Sequence, residues 1–163
     1  MSSTRLSSGR LLVLLISAAA CTPASANNGA PARVTAASDT IEARRVFEEN
    51  IDAIHKRDRD RYLATYLHSH SLARNGPAGL ELGYESWSAR RDSTWPDTLV
   101  ARNLRVIPIA PGVAYGTYCY TVTQKDTTSS GVSERVFVKT REGWKIAVTT
   151  AFGLPAGAPA QCK

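Results

Sequence analysis

Val136-Phe137-Val138-Lys139-Thr140-Arg141-Glu142-Gly143-Trp144-Lys145-Ile146-Ala147 decides the fold of this 163-residue chain. Branched and aromatic residues on either side of Arg141-Glu142-Gly143 read as two strands joined by a tight turn, with the glycine supplying the backbone freedom a reversal needs. Outward from this hairpin the same grammar repeats. Val100 to Ile109, Val113 to Gln124, Ser133 to Thr140 and Trp144 to Phe152 are four strand-like runs, separated by Pro111-Gly112, by Thr127-Thr128-Ser129-Ser130-Gly131 and by the Glu142-Gly143 turn. Their spacing predicts a four-stranded antiparallel meander.

Upstream the period changes from two to about 3.6. Asp39 with Glu42 resembles a capping box, and Ile41, Ala43, Val46, Phe47, Asn50, Ile51 and Ile54 follow at helical spacing up to Lys56. Asp58 or Asp60 can cap a second, shorter helix with Tyr62, Leu63, Tyr66 and Leu67 on one side. His68 to Asn75 reads as a short strand entering the Asn75-Gly76-Pro77 turn. A third helix is expected over Tyr84 to Thr94, with Tyr84, Trp87 and Arg91 on one stripe, stopping before Pro96. About three helices followed by a meander is an α+β plan, in one domain of residues 39–152.

These segments together are familiar. Asn75-Gly76-Pro77-Ala78-Gly79, Gly83 before the third helix, Gly112-Val113-Ala114-Tyr115-Gly116 and the closing hairpin with Trp144-Lys145-Ile146 resemble the SnoaL-like, NTF2-like superfamily, closest to its DUF4440 branch. The resemblance covers nearly all of 40–152 and implies a strongly curved antiparallel sheet wrapped around the helices as a cone with a central cavity. It also implies a homodimer formed through the outer sheet face. Ketosteroid isomerases of the superfamily use a tyrosine donor and an aspartate base; by spacing from Asp58 those places fall near Asn50 and Arg74, and arginine cannot accept a proton at neutral pH. Many DUF4440-like members place a histidine after the Trp-Lys-Ile segment, where this chain has Val148-Thr149-Thr150-Ala151-Phe152.

The N-terminus supplies an address. Arg5 and Arg10 precede the apolar run Leu11 to Ala20, so residues 1–20 read as an export signal, too short to span a bilayer. Ala18-Ala19-Ala20 before Cys21 resembles a lipobox, which would lipidate Cys21; Ala24-Ser25-Ala26 offers ordinary signal cleavage instead. A bacterial periplasmic protein or a membrane-anchored lipoprotein is expected, touching the membrane only through a lipid anchor. Residues 21–38, rich in Ala, Pro, Ser and Asn, read as a flexible tether, and 153–163 as a Gly/Pro/Ala tail. Removing residues 1–20 lowers the net charge from +6 to +4, a mild excess with no basic block interleaved with aromatics, so no nucleic-acid partner is expected. Cys119 and Cys162 remain as an even pair in an oxidising compartment, and a disulfide between them would staple the tail to the sheet.

Chemistry is sparse. His68-Ser69-His70 is a metal-like pair without a third ligand, and His55 lies at the end of the first helix, so no metal and no cofactor is assigned. No serine sits in a G-x-S-x-G elbow and no phosphate-binding glycine loop occurs. His70 with Tyr66 or Tyr62 is the catalytic pair to test if the chain is an isomerase, dehydratase or hydrolase with rearranged groups. A binding cavity is the favoured alternative. Tyr62, Tyr66, Trp87, Tyr118 and Tyr120 would make an apolar wall with polar handles, and Arg74 would favour a small anionic ligand, or pair with Glu81, Glu85 or Glu134. Glu134 and Arg135 read as a solvated strand edge. A non-catalytic binding or accessory domain, an enzyme and a dimeric interaction module are the three functional classes left.

Overall fold

The computed structural model describes residues 29–89 and 94–155, with side chains from Thr35 onward. Helix α1 spans Gly29–Lys56, α2 Arg59–Ala64 and α3 Tyr84–Ser88; strands β1 to β6 span Ala73–Gly76, Gly79–Leu82, Thr98–Ala110, Val113–Gln124, Thr127–Thr140 and Gly143–Gly153. The six strands form one sheet in the order β2-β1-β6-β5-β4-β3. Residues 1–20, expected as an export signal, Cys21, Arg91, Cys162 and all of the tail beyond Pro155 lie outside the described residues.

The meander from β3 to β6 is antiparallel throughout, as expected. The sheet as a whole is not: β1 runs parallel to β6. The cause is local. The chain leaving α2 is already hydrogen-bonded along β6, with Ile146 N–H donating to Thr65 at 2.8 Å and Leu67 N–H donating to Ile146 at 2.9 Å, so the following strand continues in that direction. Curvature comes from breaks in register. Arg102 and Arg105 pair with Cys119 and Thr117, leaving Asn103 and Leu104 bulged, and Asn103 takes the left-handed conformation at φ 56°, which asparagine tolerates better than most residues. On β6, Ala147 is the extra residue between Val148 and Ile146, which pair with Val136 and Phe137.

Helix α1 lies across the inner face, against β3, β4, β6 and α2. Ala43, Val46, Phe47 and Ile51 meet Tyr66, Leu72, Ala114, Phe137, Trp144 and Ile146 in a single core. The result is an α+β cone, helices held in a curved, unclosed sheet.

Several boundaries depart from the sequence expectation. α1 begins at Gly29 rather than Asp39, so part of the expected tether is helical; its alanines favour helix, and Pro31 falls in the first turn, where a missing N–H is harmless. Asp39 is therefore no cap. It is 2% exposed and its Oδ2 accepts a 2.8 Å hydrogen bond from Gly112 N–H in the β3–β4 turn. Asp58 is the cap of α2, accepting from Arg61 N–H at 3.1 Å. Ser69 to Leu72 form a turn rather than a strand, and β2 was not anticipated at all. α3 stops at Ser88, whose carbonyl accepts from the Arg59 guanidinium. Thr127 to Gly131, expected as a loop, belongs to β5, and Lys125-Asp126 makes the hairpin. There Thr121 pairs with Ser130 and Thr123 with Thr128, hydroxyl to hydroxyl at 3.0 Å in both cases, and a polar strand of this kind carries no hydrophobic alternation.

Candidate functional site

The aromatics of α2 and α3 and the inward arginines of β1 and β5 form the interior of the cone. Tyr62 lies in α2, whereas Tyr66, expected on the same helix, follows its C-cap Thr65 and bridges to Ile146; the two hydroxyls are 3.0 Å from each other. Trp87 packs its ring edgewise at 4.7 Å from Tyr66 and 5.9 Å from Tyr62, and Trp95 stands 5.5 Å from Tyr62. Arg74 from β1 lays its guanidinium over Trp87 at 4.3 Å. Its Nη1 donates to Glu81 Oε2 at 2.8 Å across the β1–β2 hairpin, the ion pair weighed among the alternatives from the sequence.

Tyr62, Arg74, Trp87 and Trp95 border a cavity of about 270 Å³. Tyr62, Trp87, Trp95, Leu63, Ile54 and Leu99 give it an apolar and aromatic wall, while Arg59 and Arg74 give it charge. Among the described lining residues there is no carboxylate. The volume is just below the roughly 300–1,000 Å³ range of drug-sized sites and suits a small ligand. Burial, with Tyr66 nearby, pushes the Tyr62 hydroxyl well above the ordinary tyrosine range, against the pull of Arg74 and Arg135, so Tyr62 is a neutral hydrogen-bond donor at physiological pH.

Behind the aromatic layer is a second, sealed cluster. Arg135, expected on a solvated edge, is 4% exposed. Its Nη1 donates to Asn50 Oδ1 at 2.7 Å and its Nη2 to the Tyr118 hydroxyl at 3.0 Å, and it lies 5.2 Å from the ring centres of both Phe47 and Tyr118. Asn50 is held in turn by donating to Thr65 Oγ1 at 2.7 Å. Arg135 shares the buried phase of β5 with Ser133 and Phe137, a period-two signal that was present in the sequence. Glu134 faces the other way and accepts from the Tyr115 hydroxyl at 2.6 Å.

The structure thus brings Tyr62, Arg74 and Trp87 onto one cavity wall, with Tyr66 hydrogen-bonded just beside it. Tyr118 is in the core with Arg135, and Tyr120 lies over Gly131, where an added Cβ would fall 2.4 Å from its hydroxyl; neither borders the cavity. His70 is exposed in the turn before β1 and is not on the wall, and His68 stacks on Tyr84 at 4.0 Å. The described residues contain no group of three side chains able to hold a metal ion and no helix long and apolar enough to cross a membrane. Cys119 is disulfide-bonded, and both other cysteines, Cys21 and Cys162, lie outside the described residues.

No family model and no curated protein matches the sequence. Solved structures do match in shape. A ketosteroid isomerase-like protein from Erwinia carotovora atroseptica is 15% identical, with 72% of this chain and 97% of that one covered at a TM-score of 0.61. An NTF2-like superfamily protein from Salmonella enterica serovar Typhimurium is 16% identical, with coverages of 77% and 96% and a TM-score of 0.60. An NTF2-like protein of unknown function from Shewanella oneidensis is 14% identical, with coverages of 71% and 97% and a TM-score of 0.57. Identities this low carry shape and no activity; together with the helices cupped in a curved six-stranded sheet, they establish that this chain has the NTF2-like fold.

Proposed function

We propose that this chain is an exported binding domain of DUF4440 type that takes a small anionic molecule with an apolar or aromatic body into its cone. The carrying observation is the cavity wall: a guanidinium stacked on Trp87, an aromatic cluster around it, and no carboxylate among the described lining residues. A carboxylate entering there meets two arginines and the Tyr62 hydroxyl, and its body meets rings that pack edge to face. Glu81 competes with it for Arg74, which keeps affinity moderate.

Benzoate serves as the probe. Two of the three tryptophans line the cavity, so their fluorescence reports occupancy. Benzoate is expected to quench saturably in the wild type, and Arg74→Met is expected to weaken it about ten-fold or more, the loss of one charge-assisted contact. Absence of any benzoate response, or a response indifferent to Arg74→Met, overturns the proposal. Export rests on residues 1–20, with lipidation at Cys21 or cleavage after Ala26; labelling of the expressed full chain with a radioactive fatty acid, lost in Cys21→Ser, separates the two. Homodimerisation is proposed through the sheet, where Ile107 and Ile109 of β3 are exposed, and light scattering on the purified protein tests it.

A further inference from the structure

Arg74 and Arg135 stand on one row of the sheet. Arg74 pairs with Thr149, and Thr149 pairs with Arg135, so a single strand separates them and their Cα atoms are roughly 10 Å apart at two strand spacings. Both reach into the cone, Arg74 against Trp87 and Tyr66, Arg135 against Phe47 and Asn50. Their Nε atoms are the two buried side-chain polar atoms without a hydrogen-bond partner among the described residues.

The two arginines differ in one respect. Arg74 has Glu81 as a counter-ion, whereas the contacts of Arg135 are an amide oxygen, a phenol and two aromatic rings. A buried guanidinium that only needed to hold Asn50 and Tyr118 in place could be replaced by a neutral donor, and an aspartate at position 50 would neutralise it across the existing 2.7 Å contact. Instead, among the described residues, no carboxylate touches the buried Arg135 guanidinium. Burial keeps solvent from screening it, and its charge acts on the Tyr62 hydroxyl, which helps to form the cavity wall.

We infer that Arg135 is the specificity-determining charge of the cavity: without touching the ligand, it makes the site select a carboxylate over the neutral molecule of the same shape. This rests on the anion-binding reading above and adds to it the residue that discriminates charge. Tyr62, a wall residue on which the Arg135 charge acts, is the group through which the preference acts. Arg135 is a positioning residue in this scheme, because the ligand meets Arg74 and Tyr62 and not Arg135 itself.

The test compares benzoate with benzamide, which share a ring and differ in charge, in the full mature chain. Wild type is expected to prefer benzoate. Arg135→Met, and independently Asn50→Asp, which leaves Arg135 in place and cancels its charge, are each expected to reduce that preference on the order of ten-fold while benzamide affinity stays level. Arg135→Lys, keeping the charge, is expected to restore most of the preference. If the variants weaken benzoate and benzamide by one common factor, the role of Arg135 is structural and the inference is overturned. The same holds if benzoate binding that depends on Arg74 is unmoved by both Arg135→Met and Asn50→Asp. Wild-type protein that binds neither probe removes the parent reading instead, and this one with it. Should Arg135→Met fail to fold, Asn50→Asp against Arg135→Lys decides between the outcomes.

Discussion

Replacing Asp39 with alanine tests how α1 is fastened over the sheet. Asp39 is 2% exposed, and its carboxylate accepts the Gly112 N–H at 2.8 Å. The Gly112 carbonyl accepts in turn from Lys139 N–H at 2.8 Å, so one side chain ties the helix to the β3–β4 turn and through it to β5. A hydrogen bond to a charged group contributes about 1.5–3 kcal/mol, and its loss leaves the Gly112 amide unpaired. Alanine returns at most about 0.7 kcal/mol through better helix propensity. The net expectation is a destabilisation of about 1–2 kcal/mol, equivalent to roughly 4–10 °C in Tm for a domain of this size. Asp39→Asn keeps an acceptor and loses only the charge assistance, so it should fall between wild type and Asp39→Ala. Urea denaturation followed by far-ultraviolet circular dichroism gives both values, with an unchanged slope as the sign that the folded state is otherwise intact. An Asp39→Ala protein within about 0.3 kcal/mol of wild type, or above it, would refute the fastening role and make Asp39 an ordinary helix residue.

Gly131→Ala should be more damaging, because its Cβ would stand 2.1 Å from the Phe152 carbonyl oxygen and 2.4 Å from the Tyr120 ring, forcing β5 and β6 apart; a loss of about 2–3 kcal/mol in the same urea assay is expected. Stability should also fall as pH rises above about 10, since unfolded tyrosines ionise there while buried Tyr62 keeps its proton to higher pH, and Tyr62→Phe should make the decline shallower in denaturation series from pH 9 to 11. For the proposed Cys119–Cys162 bridge, Cys119→Ser and Cys162→Ser should lower Tm equally and the double variant no further, whereas unequal losses would assign Cys119 a different partner.

What the sequence makes legible follows from periodicity. Apolar residues alternating along β3, β4 and β6, with Gly112 and Gly143 at the reversals, specify a meander because side-chain direction repeats every two residues. The stripe of Ala43, Val46, Phe47 and Ile51 specifies the buried face of α1 in the same way, and the spacing of Tyr62 and Tyr66 put both on one side, although Tyr66 lies past the end of α2. Those patterns also located part of the cavity wall, Tyr62, Arg74 and Trp87, although a pattern cannot say which aromatics line a space and which fill the core. Tyr118 packs in the core beside Phe47 and Arg135 with Tyr120 partly buried against it, and neither borders this cavity.

The charged and polar interior was beyond that reach. A buried Asp39 or Arg135 looks, in one dimension, like any surface charge, because what makes its burial tolerable is a partner far along the chain: Gly112 is 73 residues from Asp39, and Asn50 is 85 from Arg135. The parallel entry of β1 beside β6 is likewise set by backbone hydrogen bonds between Thr65, Leu67 and Ile146 that no local pattern announces. Local side-chain order therefore determined the main helices, the four long strands of the meander and the apolar face of α1 that turns inward. Only the closing of the sheet around α1 and α2, which brings distant polar groups within about 3 Å of one another in the buried interior, decided that a guanidinium, that of Arg135, sits inside the cone on Asn50 and Tyr118.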